Sequence, residues 1–226
     1  MLKNDEIFWE PNDQRNAALL SWGGSEGDFA VLWAHTQRRW AWILECLART
    51  GVPAPSGRVV EFGSGMGLLD DLLDHTTSSI VMVDHTDAYL EQRPQPLSPR
   101  CKPVRWSSEA LDDLQTERGS YDWLISVAVF YHVDDATAVA LIRELGELLR
   151  PGGYVVIEGW NPPTPDLVRK MADRQRLFAS YPNYVLNVDV IRAALALEYE
   201  EQCREDILLY RKLPSPVDAD LTRGTD

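Results

Sequence analysis

Cysteine is scarce in this sequence: Cys46, Cys101 and Cys203 are three among 226 residues. Odd in number, widely spaced and outside any metal-ligand pattern, they argue for reduced structural thiols. No run of about 18 apolar residues occurs, so no membrane-spanning helix and no membrane partner are expected. Residues 1–11 contain no apolar signal core, which favours the cytoplasm. Positive charge is also short, with 22 Lys and Arg against 35 Asp and Glu, a net charge of −13. A phosphate-backbone partner needs a basic face, so a small molecule is expected as substrate and nucleic acid is not. The adjacent pairs Arg38-Arg39 and Arg169-Lys170 fit solvated helix faces. Internal repeats, low-complexity tracts, a metal-ligand cluster and a cysteine-nucleophile motif are absent too.

What is present is enough chain for one core. With 45% apolar residues, the sequence predicts a single domain over 1–213. The last residues, 214–226, have turn and charge composition and read as a disordered tail. Residues 1–50 form an N-terminal helical lid, with helices over 13–21 and 29–50 joined at Gly23-Gly24. The second helix carries apolar positions at Val31, Leu32, Trp42, Ile43, Leu47 and Ala48. From residue 58 to 213, strands alternate with helical patterns. That order predicts α/β architecture, a doubly wound, mostly parallel sheet with helices on both faces. Strands are expected at 58–62, 79–84, 102–106, 121–127 and 153–159, with a hairpin over 199–213. The crossover helix Asp134–Leu149 places Val139, Ile142, Leu145 and Leu149 on one stripe, and another helix is expected over 166–180.

The first strand runs straight into glycine: Val59-Val60-Glu61-Phe62-Gly63-Ser64-Gly65-Met66-Gly67. Alternating glycines let the backbone turn sharply and approach a ligand with no Cβ in the way. A helix from Leu68 to His75 would then point its free N–H groups at that ligand. A second apolar run, Ile80 to Val83, ends in Asp84, 17 residues after Gly67. An acid at the tip of the second strand of a βαβ unit can accept hydrogen bonds from both ribose hydroxyls. The dinucleotide fingerprint G-x-G-x-x-G is absent, because the third glycine comes one residue early.

These residues resemble the class I S-adenosylmethionine (SAM)-dependent methyltransferases. VVEFGSGMG is similar to the family's first motif, and IVMVDHTDAYL to its second-strand motif. Residues 121–133, YDWLISVAVFYHV, resemble the fourth-strand motif, and LLRPGGYVVI at 148–157 the turn into the fifth strand. The resemblance implies a Rossmann-like sheet of about seven strands with the last reversed, and SAM as cofactor. It implies that Gly63, Ser64, Gly65 and Gly67 line the amino-acid part of SAM, and that Asp84 takes the ribose. Glu61 orders the loop, binds the cofactor's ammonium, or is a plain loop carboxylate. His85 lies toward the adenine. Ser107 falls where many relatives carry an aspartate for adenine, and Trp106 is either a purine-packing surface or core filler. Ser126 and Val127 stand at the fourth strand's tip, beside the methionyl part.

For the reaction, His132 is a general base or a loop anchor partnered by Asp134 or Asp135. Tyr131 and Asn161 follow the fourth and fifth strands and shape an acceptor pocket; Glu158 holds an amine or sits in a loop. Five of the eight tryptophans lie in the first 42 residues. Trp33, Trp40 and Trp42 read as lid packing, and Trp22, beside the Gly23-Gly24 joint, as an aromatic face for the sulfonium. The expected activity is methyl transfer to a small molecule. Two rivals stay open: transfer or cyclisation of the aminocarboxypropyl arm with release of methylthioadenosine, and SAM binding without catalysis.

Overall fold

The structure, a computed structural model, describes residues 29–84, 96–106, 114, 116–159, 186–203 and 207–214. In chain order the elements are α1 (Phe29–Arg49), β1 (Gly57–Phe62), α2 (Leu68–Leu73), β2 (Thr77–Asp84) and β3 (Cys101–Arg105). There follow β4 (Tyr121–Val127), α3 (Asp135–Gly146), β5 (Leu149–Glu158), α4 (Val188–Leu195), β6 (Tyr199–Cys203) and β7 (Leu208–Lys212). They build one seven-stranded sheet in the order β3-β2-β1-β4-β5-β7-β6. The first five of these strands run parallel. β7 is antiparallel to both β5 and β6, which gives the reversed strand.

The sheet is central because its strands are apolar on both sides. Val60, Phe62, Val81, Val83 and Leu124 pack with α3 and α4 on one face. Val59, Ile80, Met82, Ile125 and Val156 pack with α1 and α2 on the other. Alternate residues of one strand thus feed two cores, as the two-residue period requires. Phe62 and Ile80, each on a different face, are 8% and 0% exposed, so neither face is open to solvent there.

Among the expected boundaries, the junction between the crossover helix and β5 moves most. The crossover helix ends at Gly146 rather than Leu149, and its buried residues include Ala138, Leu141, Ile142 and Leu145. Leu149 leaves the stripe and instead opens β5 opposite Tyr121. Pro151 follows closely and cannot continue a helix, and Lys212 Nζ caps the end by donating to the carbonyls of Gly146 and Leu149, both at 2.8 Å. A Cβ on Gly146 would collide with the Tyr199 hydroxyl, so β6 packs where only glycine fits. In α1 the buried positions are Trp40, Ile43, Cys46 and Leu47. Trp42 and Ala48 face outward, contrary to the sequence stripe, and Trp42 is 38% exposed with the Arg49 guanidinium 5.2 Å from its ring. The spacing 40, 43, 47 follows the helical period better than one beginning at Trp42. The predicted helices at 13–21 and 166–180 and the tail 215–226 lie outside the described residues.

Candidate functional site

The carboxyl ends of β1 and β4 lie side by side, and the chain order reverses between them. Open α/β sheets bind ligands in the crevice at this point. The glycine turn crosses it. Gly63 and Ser64 donate their amides to Val83 O at 2.7 and 3.4 Å, and Gly67 donates to Ser64 O at 2.8 Å. All three glycines take left-handed φ values, 76°, 54° and 67° in order.

Their reasons for being glycine differ. A Cβ on Gly63 would run into Val129 Cγ2, and one on Gly67 would lie 2.6 Å from Met82 Cε. These two allow close packing. A Cβ on Gly65 would meet nothing within 4 Å among the described residues, which leave this corner of the turn open. Its amide donates to Asp84 Oδ2 at 2.8 Å. Asp84 is 8% exposed, and its main-chain oxygen receives the Trp106 amide at 2.6 Å. One carboxylate therefore braces the open corner of the turn.

The other walls come from β4, β5 and α1. Ser126 is 1% exposed, and its hydroxyl donates to Phe62 O at 2.9 Å. That bond fastens β4 to β1 just where their strand pairing stops, so this side chain braces the sheet. Val127 packs on the α1 side of the sheet. Ala128 follows with φ 62°, a costly value for a residue with a Cβ, and its amide donates to Glu158 O at 3.0 Å. Glu61 is 3% exposed at the end of β1. Trp106 is 7% exposed and lies in the core, edge-on to Phe62 at 5.1 Å between ring centres.

His132 closes a 3-10 turn, Phe130–His132, directly after β4 and is half-buried. Asp134 and Asp135 have other partners. Asp134 caps α3 by accepting the Thr137 amide at 2.8 Å, and Asp135 accepts the Asn187 amide at 2.7 Å. Both carboxylates thus take part in helix-start bonds. Tyr131 belongs to the same turn, but its side chain lies outside the described residues, as do Trp22, His85, Ser107 and Asn161.

One contact was not legible beforehand. Arg39 Nη1 donates to Glu158 Oε2 at 2.6 Å, joining α1 to the last residue of β5. Arg39 is thus half-buried in an ion pair, not part of a solvated face as its neighbour Arg38 is. Its position four residues before Ile43, on the buried stripe, was the available signal.

A glycine turn at a switch point, opposite a strand-tip carboxylate, defines a domain that holds a nucleoside-bearing cofactor at the carboxyl edge of its sheet. The family model described as "Methyltransferase domain" matches residues 32–200, and the chain belongs to that family. Its methyl donor is SAM. Among curated proteins it is similar to the ubiquinone biosynthesis O-methyltransferase of Xanthomonas campestris pv. campestris (strain B100). The two are 26% identical over 111 residues, 49% of this chain and 46% of the relative, so the match spans less than half that protein's length. The fold is similar to magnesium protoporphyrin IX methyltransferase from Synechocystis PCC 6803 with bound SAH: TM-score 0.60, 17% identity, covering 89% of this chain and 94% of that one. It is also similar to an S-adenosylmethionine-dependent methyltransferase from Mesorhizobium loti: TM-score 0.55, 18% identity, covering 75% and 97%.

The residues present fit that cofactor. Gly65 leaves its side of the turn open, and Asp84 stands hydrogen-bonded beside it. The Ser64 hydroxyl is buried with no hydrogen-bond partner among the described residues, a donor and acceptor suited to a polar ligand. No described helix is long and apolar enough to cross a membrane.

Proposed function

We propose that this chain is a single catalytic unit over residues 1–213 that methylates a small-molecule acceptor in the cytoplasm. The open corner at Gly65, braced by Asp84 at the β1/β4 switch point, carries the reading. The net charge of −13 favours a small acceptor over a nucleic acid. SAM supplies a methyl group already activated by its sulfonium, so the protein's work is alignment.

In this reading the glycine turn and Ser64 receive the amino-acid end, and Asp84 receives the ribose hydroxyls through its carboxylate. Glu61 orders the turn from below or meets the ammonium, and Val127 borders the methionyl arm. His85, Trp106 and Ser107 form the adenine side. On the acceptor side, His132 takes a proton where the nucleophile carries one, Tyr131 and Asn161 shape the pocket, and Trp22 covers the sulfonium and excludes water. The O-methyltransferase similarity favours an acceptor hydroxyl.

The test incubates the purified protein with SAM, alone and with small phenols, carboxylates and amines. S-adenosylhomocysteine (SAH) appearing only with an acceptor supports the reading. Methylthioadenosine formed from SAM alone would replace it with transfer or cyclisation of the aminocarboxypropyl arm, which the relatives reported above do not support.

A further inference from the structure

We propose that Ala128 is a positioning residue: its left-handed conformation carries Val129 across the edge of the sheet onto Gly63, and Val129 then links the glycine turn to the turn that bears His132. The link rests on the binding of SAM at the glycine turn. Along β4 the side chains alternate as a strand requires. Leu124 lies on the α3 side of the sheet, and Trp123 and Ile125 lie on the α1 side. Val127 keeps that phase and packs on the α1 side. The same period would put Val129 there too. Instead Val129 packs on the α3 side, in the cluster that holds Phe62 and Phe130.

Between the two valines stands Ala128 at φ 62°, the one non-glycine residue with a positive φ among the described residues. A residue with a Cβ takes this region at a cost, so it persists where its surroundings over-determine it. Contacts on both sides do so here. The Ala128 amide donates to Glu158 O at 3.0 Å, one step beyond the last strand pair, Val127 with Glu158. On the other side, Val129 Cγ2 fills the place of a side chain at Gly63, 2.1 Å from where a Cβ would stand. Glycine at 63 and a left-handed residue at 128 are thus two halves of one contact. Phe130 follows, 1% exposed and edge-on to Phe62 with ring centres 6.1 Å apart.

Val129 also reaches forward, because its carbonyl receives the His132 amide at 2.9 Å. One residue therefore touches the glycine turn with its side chain and holds the His132 turn with its main chain. Order imposed on the first turn by a ligand passes to the second through it. The glycine turn has bonds of its own, from Gly63 to Val83 O and from Gly65 to Asp84, so it keeps its shape when Val129 is cut back.

The experiment follows amide exchange residue by residue by NMR, with and without saturating SAH, in wild type, Val129→Ala, Val129→Thr, Ala128→Gly and Ala128→Val. The amides read are Gly67, bonded to Ser64 O, and His132, bonded to Val129 O, with Ile142 in α3 as control. In wild type, SAH should slow exchange about fivefold or more at both Gly67 and His132. In Val129→Ala the slowing at Gly67 should persist and that at His132 should vanish. Val129→Thr keeps the branching and should behave as wild type. So should Ala128→Gly, because glycine takes a positive φ freely. Ala128→Val sets a β-branched side chain in that region and should lose the response at His132. If Ala128→Val does not fold, Val129→Ala decides by itself. A His132 response in Val129→Ala as large as in wild type would overturn the proposal, as would equal loss at Gly67 and His132. If wild type does not bind SAH by calorimetry, the cofactor reading fails separately, and the ligand-free rates judge the link. Val129→Ala should then speed exchange at His132 about fivefold and leave Gly67 and Ile142 within about twofold. No change at His132, or equal speeding at all three, would overturn it.

Discussion

The amide of Gly65 points into the carboxylate of Asp84, 2.8 Å from Oδ2, and so couples the tip of β2 to the corner of the glycine turn that the described residues leave open. The bond gives Asp84 work to do before any ligand arrives. A carboxylate oxygen has two lone pairs, so accepting one amide leaves capacity for a ribose hydroxyl. On the ribose assignment proposed above, the turn and the ribose site form one unit.

Asp84→Ala should therefore weaken SAH binding. Hydrogen bonds to a charged group contribute about 1.5–3 kcal/mol, so a rise in Kd of roughly tenfold to a hundredfold is expected. Asp84→Asn keeps an oxygen for Gly65 but loses the charge, and should fall between. Titration calorimetry with SAH decides it, and an unchanged Kd for the alanine variant would remove the ribose assignment.

The three glycines should respond differently to alanine. In Gly63→Ala the new methyl meets Val129 at φ 76°, so clash and backbone strain add, for a loss of about 2–4 kcal/mol. Val129→Ala in that background should recover part of the loss, and a double-mutant cycle in urea measures it. Gly65→Ala has room at φ 54°, so only backbone strain of about 1–2 kcal/mol remains. Its cofactor affinity should nevertheless drop, because the methyl occupies the side the ligand approaches. Comparable stability losses at the two positions would contradict this division.

How much of this was legible in the sequence depends on the range of each interaction. The strands were legible because their apolar runs lie within a few residues, and so was the glycine turn before α2. The distinction among Gly63, Gly65 and Gly67 was not, since Val129 reaches Gly63 from the turn after β4 and Met82 reaches Gly67 from β2. Leu149 has the same spacing from Leu145 as a helical neighbour would, yet it pairs with Tyr121 in the sheet, and its carbonyl takes a bond from Lys212, 63 residues away. Trp42 reads as core on hydropathy alone, but the face of α1 that meets the sheet is fixed by Ile43 and Leu47. Arg39 and Glu158 are 119 residues apart and carry no local pattern that announces their meeting.

At the opposite edge of the sheet, a second cluster sets a pH dependence. The Arg58 guanidinium lies 4.3 Å from the Tyr121 ring centre and bonds to Glu117, and the Tyr121 hydroxyl donates to Glu117 Oε2 at 2.7 Å. The Tyr121 hydrogen bond, and then Arg58, hold the Glu117 carboxyl below its ordinary value of 4.5 against the effect of burial. A lowered carboxyl stabilises the fold above that value and loses its contribution as pH falls through the folded pKa. Burial, and then Glu117, push the Tyr121 hydroxyl above its ordinary 10.0, so its contribution is complete below pH 10 and is lost above it. Tyr121→Phe keeps the ring under Arg58 and removes both couplings. Urea midpoints between pH 3 and 11 should show shallower limbs at both ends and a loss of about 1 kcal/mol at neutral pH.

His132→Ala separates the two uses of that side chain. The turn that carries it is held by main-chain bonds, His132 N to Val129 O at 2.9 Å and Val133 N to Phe130 O at 3.3 Å, and neither needs the imidazole. Asp134 and Asp135 are engaged at the starts of α3 and α4, so the helices beyond the turn are fixed independently. If the imidazole's work is that of a base, melting temperature should change little and the Kd for SAH should stay normal. With an acceptor that must lose a proton, turnover should fall about a hundredfold, within the range for losing a general base. With an acceptor already ionised at the assay pH, it should change little. A large fall in melting temperature with turnover retained on both acceptors would show instead that the imidazole's work is to hold the loop.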